Sequence, residues 1–511
     1  MAVAVEDAGL SPDDVVAVAR GREAVVLGDR AVDAMARSRA IVDRLAESGA
    51  PVYGVSTGFG ALATMFIPAE RRAQLQRSLI RSHAAGMGPP VEAEVVRAMM
   101  LLRVRSLAMG FSGTRPEVAA NLVALLNAGI TPVVPEHGSL GCSGDLAPLA
   151  HVALVLMGEG EAVGPDDAGR LDGAAALAAA GVAPLELSAK EGLALVNGTD
   201  GMLGMLVLAC HDTAGLLAAA DITAAMSVEA LLGTDAAFAQ DLLALRPQPG
   251  QQSSAANLRR LLAGSAIVAS HRDGDPRVQD AYSMRCAPQV AGAARDTLAF
   301  VRGVVDHELA AAIDNPVVLP DGRVASNGNF HGAPLAAAAD YLAIAATSVG
   351  SIAERRVDRL LDRTRSQGLP PFLAPDAGVD SGLMLAQYTA AALVAENRRL
   401  AVPASVDSIP TSAMQEDHVS MGWAAARKLR VVLANLARIF AVELVAAARA
   451  LDLRAPLTPA PGTAAVLDRV RRDIAGPGPD RFVAAELAAS EALVRSGDVV
   501  RAAESVVGPL A

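Results

Sequence analysis

Residues 138–151 read GSLGCSGDLAPLAH, and the triplet Cys142-Ser143-Gly144 within them indicates an unusual backbone chemistry. In a tight turn, the Gly144 amide nitrogen can attack the Cys142 carbonyl carbon. Loss of one water from the ring and one from the Ser143 hydroxyl then leaves a 4-methylidene-imidazol-5-one, an electrophile that no ordinary side chain supplies. Glycine suits the third position because it permits strained dihedral angles and a close approach of backbone atoms. The Cys142 side chain takes no part in closure and remains a substituent of the ring.

An ordinary glycine-rich turn before a helix is the simpler interpretation of the same residues, because Ser-Gly pairs are common in loops. A nucleophile elbow does not fit, since Asp145 stands where G-x-S-x-G requires its second glycine. We predict that a helix begins between Asp145 and Leu149, immediately after the triplet. The amides at its N-terminus would favour negative charge that develops on the ring oxygen.

The composition of this 511-residue chain favours closely packed helices. Hydrophobic residues make up 52% of it and aromatic residues only 3%, so the core must be built from Ala, Leu and Val. Alanine is the best helix former. Residues Thr114–Glu117 match a capping box, and Gly129 ends the apolar helical pattern that follows. Residues Ser188–Glu191 match a second capping box, which opens a helix towards Asn197.

Long helices are also expected in the second half of the chain. Alanine- and leucine-rich stretches near residues 338–361, 383–400 and 421–451 predict helices that are buried on more than one face. Strand-like alternation is scarce and is confined to short pieces at residues 131–135 and 314–323.

These patterns together predict an all-α fold, a long helical bundle. Residues 1–200 are expected to form an N-terminal region that carries the ring and the active-site loops. Residues 201–511 are expected to form the central and C-terminal helical bundle, and the two regions to act as one functional unit.

The bulk properties exclude several classes of partner. The net charge is −11 and no basic run with interleaved aromatic residues occurs, so nucleic acid and anionic membrane surfaces are poor candidates. Residues 1–10 lack the basic flank and apolar run of a secretory signal. No window of about 18 residues is free of charges and strong polar breaks, so no membrane-spanning helix is expected.

Cysteines and metal-ligand patterns are sparse. His307-Glu308 begins like H-E-x-x-H but lacks the second histidine, so no metal site is expected. No dinucleotide-binding or phosphate-binding glycine motif is present either, and the only prosthetic group expected is the self-made ring. The three cysteines form no Cys-x-x-Cys pair and suit a reducing cytoplasm, where we expect the protein to act. They are Cys142, Cys210 and Cys286.

The triplet lies in one of seven motifs that resemble, in the same order, those of the histidine and aromatic amino acid ammonia-lyases. The resemblance runs from near the N-terminus into the C-terminal third, and seven ordered motifs make coincidence implausible. The motifs are YGVSTGFG at 53–60, SHAAG at 82–86, GSLGCSGDLAPLAH at 138–151, EGLALVNGT at 191–199, VQDAYSMRC at 278–286, GNFH at 328–331 and QEDHVSM at 415–421.

The resemblance implies the helical ammonia-lyase fold and a homotetramer in which each active site draws residues from three chains. It also implies that Cys142-Ser143-Gly144 becomes the methylidene-imidazolone (MIO) group, which captures the amine of a small amino acid substrate. The amine is a poor leaving group, and its capture by the electrophile makes it a better one. The β-hydrogen is scarcely acidic, so a positioned base is needed to remove it.

By resemblance, that base is Tyr53. A tyrosine in a glycine-rich loop is otherwise a packing aromatic with a satisfied hydroxyl, and it can accept a proton only if positive charge or hydrogen-bond donors stabilise its phenolate. Asn197 is expected to hydrogen-bond the ring carbonyl. Its position before Gly198 also suits an ordinary residue at the C-terminus of a helix.

Arg285 is the residue expected to hold the substrate carboxylate, because a guanidinium group matches a carboxylate with two parallel hydrogen bonds. An isolated arginine is more often a solvated surface charge. On a helical turn, Tyr282 and Arg285 would share a face. The resemblance implies that Tyr282 and Gln279 contact the substrate or the ring.

Substrate choice is expected to depend on His83, Met384 and Glu416. The resemblance implies that members with SHAAG and QEDH act on histidine, and that members acting on phenylalanine or tyrosine have an amide at the Glu416 position. A carboxylate near an imidazole accepts its N–H and favours its protonated form, whereas beside a phenyl ring it would be a desolvated charge without a partner. A structural pairing of Glu416 with His83 is the alternative. Phe330 and Gln415, in neighbouring motifs, are expected to contact substrate.

The leading hypothesis is therefore elimination of ammonia from L-histidine to give trans-urocanate. The alternatives are an ammonia-lyase or 2,3-aminomutase for tyrosine or a related aromatic amino acid, and a non-catalytic helical assembly protein with an uncyclised triplet. Asp380 and Met414 stand where histidine-acting members commonly have asparagine, which leaves the substrate more open than the reaction.

Overall fold

The structure is a computed structural model that describes residues 2–47, 53–165 and 169–511. Its α-helices are α1 (Pro12–Ala19), α2 (Asp29–Glu47), α3 (Arg72–His83), α4 (Ala93–Ala108), α5 (Pro116–Asn127), α6 (Leu146–Leu156), α7 (Gly173–Ala179), α8 (Glu191–Val196), α9 (Asp200–Ala230), α10 (Gln240–Ala244), α11 (Pro249–Leu262), α12 (Ala266–Ala269), α13 (Tyr282–Arg285), α14 (Ala287–Leu309), α15 (Ala333–Leu361), α16 (Met384–Leu400), α17 (Gly422–Asp452), α18 (Pro461–Arg471), α19 (Val483–Arg495) and α20 (Asp498–Val507).

The strands are short and form four small sheets. A parallel pair joins β1 to β2, antiparallel pairs join β3 to β5 and β8 to β9, and the order β4-β6-β7 makes an antiparallel three-stranded sheet. The strands are β1 (Val3–Val5), β2 (Val25–Leu27), β3 (Met87–Pro90), β4 (Thr131–Pro132), β5 (Pro135–His137), β6 (Glu161–Val163), β7 (Arg170–Asp172), β8 (Val317–Val318) and β9 (Val324–Ala325).

The prediction of a mainly helical fold is confirmed, since helices hold 60% of the chain. The long helices α15, α16 and α17 begin and end close to the predicted bounds. Small side chains allow such helices to pack closely on several sides, and along α17 the alanines at 425, 437, 446 and 450 are all buried. The strand predictions are confirmed in part: residues 131–135 include β4, and residues 314–323 include only β8.

Both capping-box predictions are wrong in detail. The cap of α5 is Arg115 and not Thr114, and no side chain caps that helix. Before α8, the Glu191 carboxylate does accept the Ser188 amide at 2.8 Å, but the Ser188 hydroxyl does not return the bond. The Glu191 amide donates instead to the Ser188 carbonyl at 3.1 Å, and the Glu191 carboxylate is also held by the guanidinium group of Arg115 at 2.8 Å.

The chain forms two compact units that are discontinuous in sequence. The first unit comprises Met1–Leu208, Arg302–Asp340 and Pro403–Arg427. The second unit comprises Ala209–Val301, Tyr341–Val402 and Lys428–Ala511. All of the strands given above belong to the first unit. The functional division at residue 200 remains a prediction, because it concerns activity.

Within the described ranges, three helices are long and apolar enough to cross a membrane by length and composition alone. They are α9, α15 and α17, with mean hydropathies of 1.6, 1.4 and 1.9 in their most apolar windows. Within those windows 78%, 61% and 83% of the residues are buried inside the protein. These windows can hold up to two charged residues, so they are not the charge-free windows considered from the sequence, and the expectation that no helix spans a membrane stays a prediction.

Candidate active site

The ring-forming triplet lies in a loop directly before α6. Gly144 has a φ of +79°, in the left-handed region that favours glycine. A Cβ atom at this position would lie 1.9 Å from the Gly198 carbonyl oxygen, which accepts the Asp145 amide at 2.7 Å. The backbone at residue 198 therefore leaves room only for glycine at position 144. Asp145 occupies the N-cap position of α6, as the predicted helix start requires, although its side chain makes no capping hydrogen bond to this helix.

A buried carboxylate anchors this loop. Asp145 accepts the Ser139 hydroxyl at 3.0 Å on one oxygen and the Met202 amide at 2.9 Å on the other. Burial raises the pKa of Asp145 to about 7, although these hydrogen bonds lower it. Asp145, at the start of α6, thus connects Ser139 in the loop to Met202 near the start of α9.

Tyr53 lies in the same unit, and its hydroxyl oxygen accepts the Gly60 amide at 3.2 Å. Burial raises the pKa of Tyr53, and the negative charges of Glu416 and Asp314 raise it further. The Gly60 hydrogen bond opposes these effects but does not outweigh them. The surroundings of Tyr53 within this unit therefore keep the phenol protonated, so that a positive charge brought by another group is needed before it can act as a base.

Glu416 is held opposite Thr411 by a tight loop. The Thr411 hydroxyl donates to Glu416 Oε2 at 2.6 Å, and the Thr411 amide donates to the Glu416 carbonyl at 2.9 Å. Between them Ser412, Ala413 and Met414 all have positive φ values of 51°, 51° and 69°. Such angles are unfavourable for residues other than glycine, and here they turn the chain so that residues 411 and 416 pair.

The Glu416 carboxylate changes the pKa values of two other predicted site residues, His83 and Cys142. Burial lowers the pKa of the His83 imidazole, and the charge of Glu416 partly opposes that change. Burial raises the pKa of the Cys142 thiol to about 11, and the charge of Glu416 and a thiol–carboxylate hydrogen bond raise it further. The Cys142 thiol is therefore neutral and a donor. His83 ends α3, where its Nδ1 lies 3.1 Å from the Ser82 hydroxyl.

Asn197 is the C-cap residue of α8, and it is only 2% exposed. Nδ2 donates to Asp314 Oδ1 at 3.3 Å and to the Asn315 carbonyl at 2.8 Å. Asp314 Oδ2 in turn accepts Lys190 Nζ at 2.6 Å, and neither side chain of this pair is more than 1% exposed. A buried ion pair thus stands behind the amide of Asn197.

The structure places the remaining predicted residues in different surroundings. Phe330 is half-buried in the turn before α15, and Gln415 is exposed beside Glu416; both belong to the first unit. Gln279, Tyr282, Arg285 and Met384 belong to the second unit.

In the second unit, α13 brings Tyr282 and Arg285 together. The guanidinium carbon of Arg285 lies 4.7 Å from the centre of the Tyr282 ring, and its Nε donates to the Asp280 carbonyl at 2.9 Å. The predicted shared face is therefore confirmed. Tyr282 is 71% exposed and Gln279 is exposed as well, so this face is open to a ligand or another chain.

Met384 begins α16 and lines a cavity of about 340 Å³ together with Asp358, Phe372 and Gln387. Asp380, in the loop before this helix, accepts the Asp480 amide at 2.9 Å. The Asp480 carboxylate accepts the amides of residues 381 and 382 at 2.7 and 2.8 Å. Aspartate at position 380 thus has a structural partner within the second unit.

Comparison with known proteins identifies the family. The sequence profile of the aromatic amino acid lyases matches residues 10–472. The chain belongs to the aromatic amino acid lyase family. This lyase is 65% identical to a histidine ammonia-lyase of Streptomyces avermitilis over 510 residues, which cover 100% of this chain and 99% of that one.

Two solved structures have the same fold as this lyase. The histidine ammonia-lyase of Trypanosoma cruzi is 40% identical, with a TM-score of 0.91 over 99% of this chain and 96% of that one. The tyrosine aminomutase of Streptomyces globisporus is 38% identical, with a TM-score of 0.93 over 99% of both chains. The fold is thus common to a lyase and an aminomutase, and the site residues must decide between them.

The residues of the triplet fit the MIO group that the family implies. Gly144 is held with a positive φ and cannot carry a side chain, and Ser143 supplies the hydroxyl that ring formation must lose. The start of α6 follows directly, so its amides face the loop end that would carry the ring. Across the described ranges, no group of three or more His, Cys, Asp or Glu side chains is placed to hold a metal ion.

Sequence reasoning missed three residues of this site, Lys190, Asp314 and Thr411. Lys190 was visible only as the middle of a capping box, and Asp314 only as the start of a possible strand. Each acts through a partner: Lys190 and Asp314 are 124 residues apart in sequence. Thr411 is close to Glu416 in sequence, but the left-handed turn that pairs them has no glycine to signal it.

Proposed function

We propose that this lyase eliminates ammonia from L-histidine to give trans-urocanate, with the MIO group formed from Cys142-Ser143-Gly144 as its electrophile. The observation that carries the proposal is the Glu416 carboxylate, which Thr411 holds and whose charge reaches Tyr53, His83 and the ring-forming triplet. An anion at this place suits the N–H of an imidazole and is costly beside a phenyl ring, which has no polar hydrogen to donate to it.

The MIO group, once formed, supplies an electrophile for the substrate amine. Tyr53 takes the β-proton, and the positive charge of the bound substrate offsets the anions that keep its phenol protonated. Glu416 and His83 hold the imidazole, with Phe330 and Gln415 beside them. Arg285 binds the substrate carboxylate with Tyr282 and Gln279 next to it, and Met384 contributes to substrate choice. These roles follow the family resemblance. They agree with the chemistry of each group.

We further propose a cytoplasmic homotetramer whose active sites are shared between chains. The exposure of Tyr282 and Gln279 supports this arrangement, because a substrate-binding face needs a protein surface to close it. No nucleic acid or membrane partner is proposed.

Intact-mass measurement followed by an amino acid panel tests the function. We expect a mass lower by two waters than the sequence predicts, and urocanate from L-histidine. An unmodified mass would favour the non-catalytic assembly protein. Turnover of tyrosine but not of L-histidine would contradict the substrate, and a β-amino acid product would show an aminomutase.

Replacing Glu416 with glutamine tests the observation that carries the proposal. We expect Glu416→Gln to lower kcat/KM for L-histidine about 10- to 100-fold, because hydrogen bonds to charged groups contribute roughly 1.5–3 kcal/mol. Turnover of tyrosine should rise or stay the same. Asp417→Asn, one residue away and exposed, is the matched control and should change neither rate.

A further inference from the structure

The Asn197 side chain has one unused polar atom, its amide oxygen. Both Nδ2 hydrogens are taken, by Asp314 Oδ1 and by the Asn315 carbonyl. Oδ1 is buried and has no hydrogen-bond partner in the part of the chain that the structure describes. Since buried polar atoms are almost always paired, this oxygen marks a place where a ligand atom belongs.

A flipped side-chain amide of Asn197, which would present its N–H instead of its oxygen, is unfavourable. A reversed amide would set Oδ1 against the Asp314 carboxylate and the Asn315 carbonyl, which have no hydrogen to donate to it. Three acceptors would then meet in a buried space, at the cost of two hydrogen bonds. Asn197 therefore presents an acceptor.

The Lys190–Asp314 ion pair maintains this arrangement. Lys190 Nζ lies 2.6 Å from Asp314 Oδ2, so the ammonium group holds the carboxylate whose other oxygen accepts from Asn197. Lys190 and Asn197 flank the two ends of the six-residue helix α8, and one carboxylate thus binds both. Lys190 adopts a φ of +74°, which a residue other than glycine tolerates only where its surroundings require it.

The position of Asn197 relates this oxygen to the reaction. The next residue, Gly198, pairs with Gly144 of the triplet, and its carbonyl accepts the Asp145 amide. The carbonyl of the MIO ring is itself an acceptor, so it cannot be the partner of Asn197 Oδ1. A group with N–H bonds is required, and the substrate brings one in its α-amino group.

We propose that Asn197 Oδ1 accepts an N–H of the substrate's α-amino group, and that Lys190 and Asp314 are positioning residues that keep this oxygen facing the substrate. This role replaces a bond from Asn197 to the ring carbonyl. The inference rests on the proposed function for the identity of the amino acid, but not for the presence of an amino group.

A ligand pair that differs only in the amino group tests the proposal. In full-length Ser143→Ala protein, which cannot complete the ring, the dissociation constants of L-histidine and of 3-(imidazol-4-yl)propionate are measured by calorimetry. Adding Asn197→Ser should weaken L-histidine binding at least about tenfold, the size of one hydrogen bond to a charged group. Binding of the propionate, which lacks the amino group, should stay within twofold.

A second variant tests the two positioning residues. Lys190→Met/Asp314→Asn removes both charges and lets residue 314 donate to Asn197 Oδ1, so it should produce the same selective loss. The matched control is Arg295→Met/Asp221→Asn, which removes another buried pair, at 2.6 Å, in the second unit. An equal loss for both ligands, no loss with Asn197→Ser, or the same selective loss in the control would overturn the proposal.

Turnover by the unaltered protein separates this inference from the proposed function. If that protein acts on another amino acid and not on L-histidine, the proposed substrate fails. The same binding test then uses that amino acid and its analogue without the amino group, and its outcome decides the role of Asn197 independently.

Discussion

Each unit contains a fully buried ion pair, and the two pairs differ in what lies at the end of their hydrogen-bond networks. In the second unit, Glu443 accepts the Ser227 hydroxyl at 2.8 Å and Arg356 Nη2 at 3.0 Å, while Arg356 Nη1 donates to the Ser283 carbonyl at 3.2 Å. That network is closed. In the first unit, the Lys190–Asp314 pair leads to Asn197 and ends on an oxygen that has no hydrogen-bond partner among the residues that the structure describes.

This difference separates two uses of buried charge. A closed network specifies how helices pack, because each donor and acceptor is satisfied only in the native arrangement. An open network adds a group that is satisfied only when a ligand arrives. The unsatisfied atom, and not the ion pair as such, is therefore the signal of function.

The largest effect is expected from a change in the triplet that is proposed to form the ring, in the same unit as the open network. Ser143→Ala removes the hydroxyl that ring formation must lose, so activity should fall at least about 1000-fold, as for residues that act as one catalytic unit. Intact mass should then differ from that of the unaltered protein by the missing dehydration. Cys142→Ala is the control, since only its backbone enters the ring; an equal loss there would contradict the assignment.

The next prediction compares the same kind of lesion in the two networks. Lys190→Met leaves the Asp314 carboxylate buried without its cation, so Asn197 is no longer held in place and kcat/KM should fall about tenfold or more, as for the loss of a hydrogen bond to a charged group. Glu443→Gln should instead lower the free energy of unfolding by about 3–5 kcal/mol, because it leaves a buried charge unpaired.

Steady-state kinetics and chemical denaturation measure these two effects. At constant folded concentration, Glu443→Gln should keep the kcat/KM of the unaltered protein. An equal loss of kcat/KM in both variants would show that the networks do not differ in function.

A smaller effect, on the pH dependence of stability, is expected from Glu229, a second buried carboxyl group of the second unit whose oxygens both accept hydrogen bonds. Glu229 is buried, accepts the Ala460 amide and the Thr463 hydroxyl at 2.6 Å each, and burial raises its pKa from 4.5 to about 7. Because the folded-state pKa is the higher one, its contribution to stability is complete below pH 4.5 and is lost as the pH rises through 7. A shift of this size corresponds to about 3 kcal/mol.

Glu229→Gln stays neutral at every pH and should lack that dependence. Melting temperatures between pH 4.5 and 8 measure it, and only the slope is compared, because glutamine also changes the hydrogen bonds. A parallel decline in both proteins would place the titrating group elsewhere. Activity at constant folded concentration should not change.

The smallest effect is expected from loosening Glu416 without removing it. Thr411→Val deletes the hydroxyl that holds one carboxylate oxygen, and should lower kcat/KM for L-histidine about threefold to tenfold, since a single hydrogen bond contributes about 0.5–1.5 kcal/mol. Thr411→Ser keeps the hydroxyl and should restore most of the activity. If serine is no better than valine, the methyl group and not the hydrogen bond is what matters.

Much of the fold was predictable because its signals are local. Alanine- and leucine-rich periodicity located α15, α16 and α17, and the residues after the triplet located the start of α6. The capping boxes were wrong in detail because α5 begins one residue later than the motif implies and because the Glu191 amide donates to the Ser188 carbonyl and not to its hydroxyl. The expectation that no helix spans a membrane stays a prediction, because burial in protein and burial in lipid select similar compositions.

The site was predictable to the extent that chemistry depends on residue order. Consecutive residues can close a ring, so the triplet together with the six other ordered motifs predicts MIO chemistry, and residues three apart share a helical face, as Tyr282 and Arg285 do. Which oxygen of Asn197 remains free, which hydroxyl holds Glu416, and which charges raise the pKa of Tyr53 depended on side chains that are distant in sequence. Only folding brings Lys190 to Asp314, because a hydrogen bond is set by distance and direction in space and not by position along the chain.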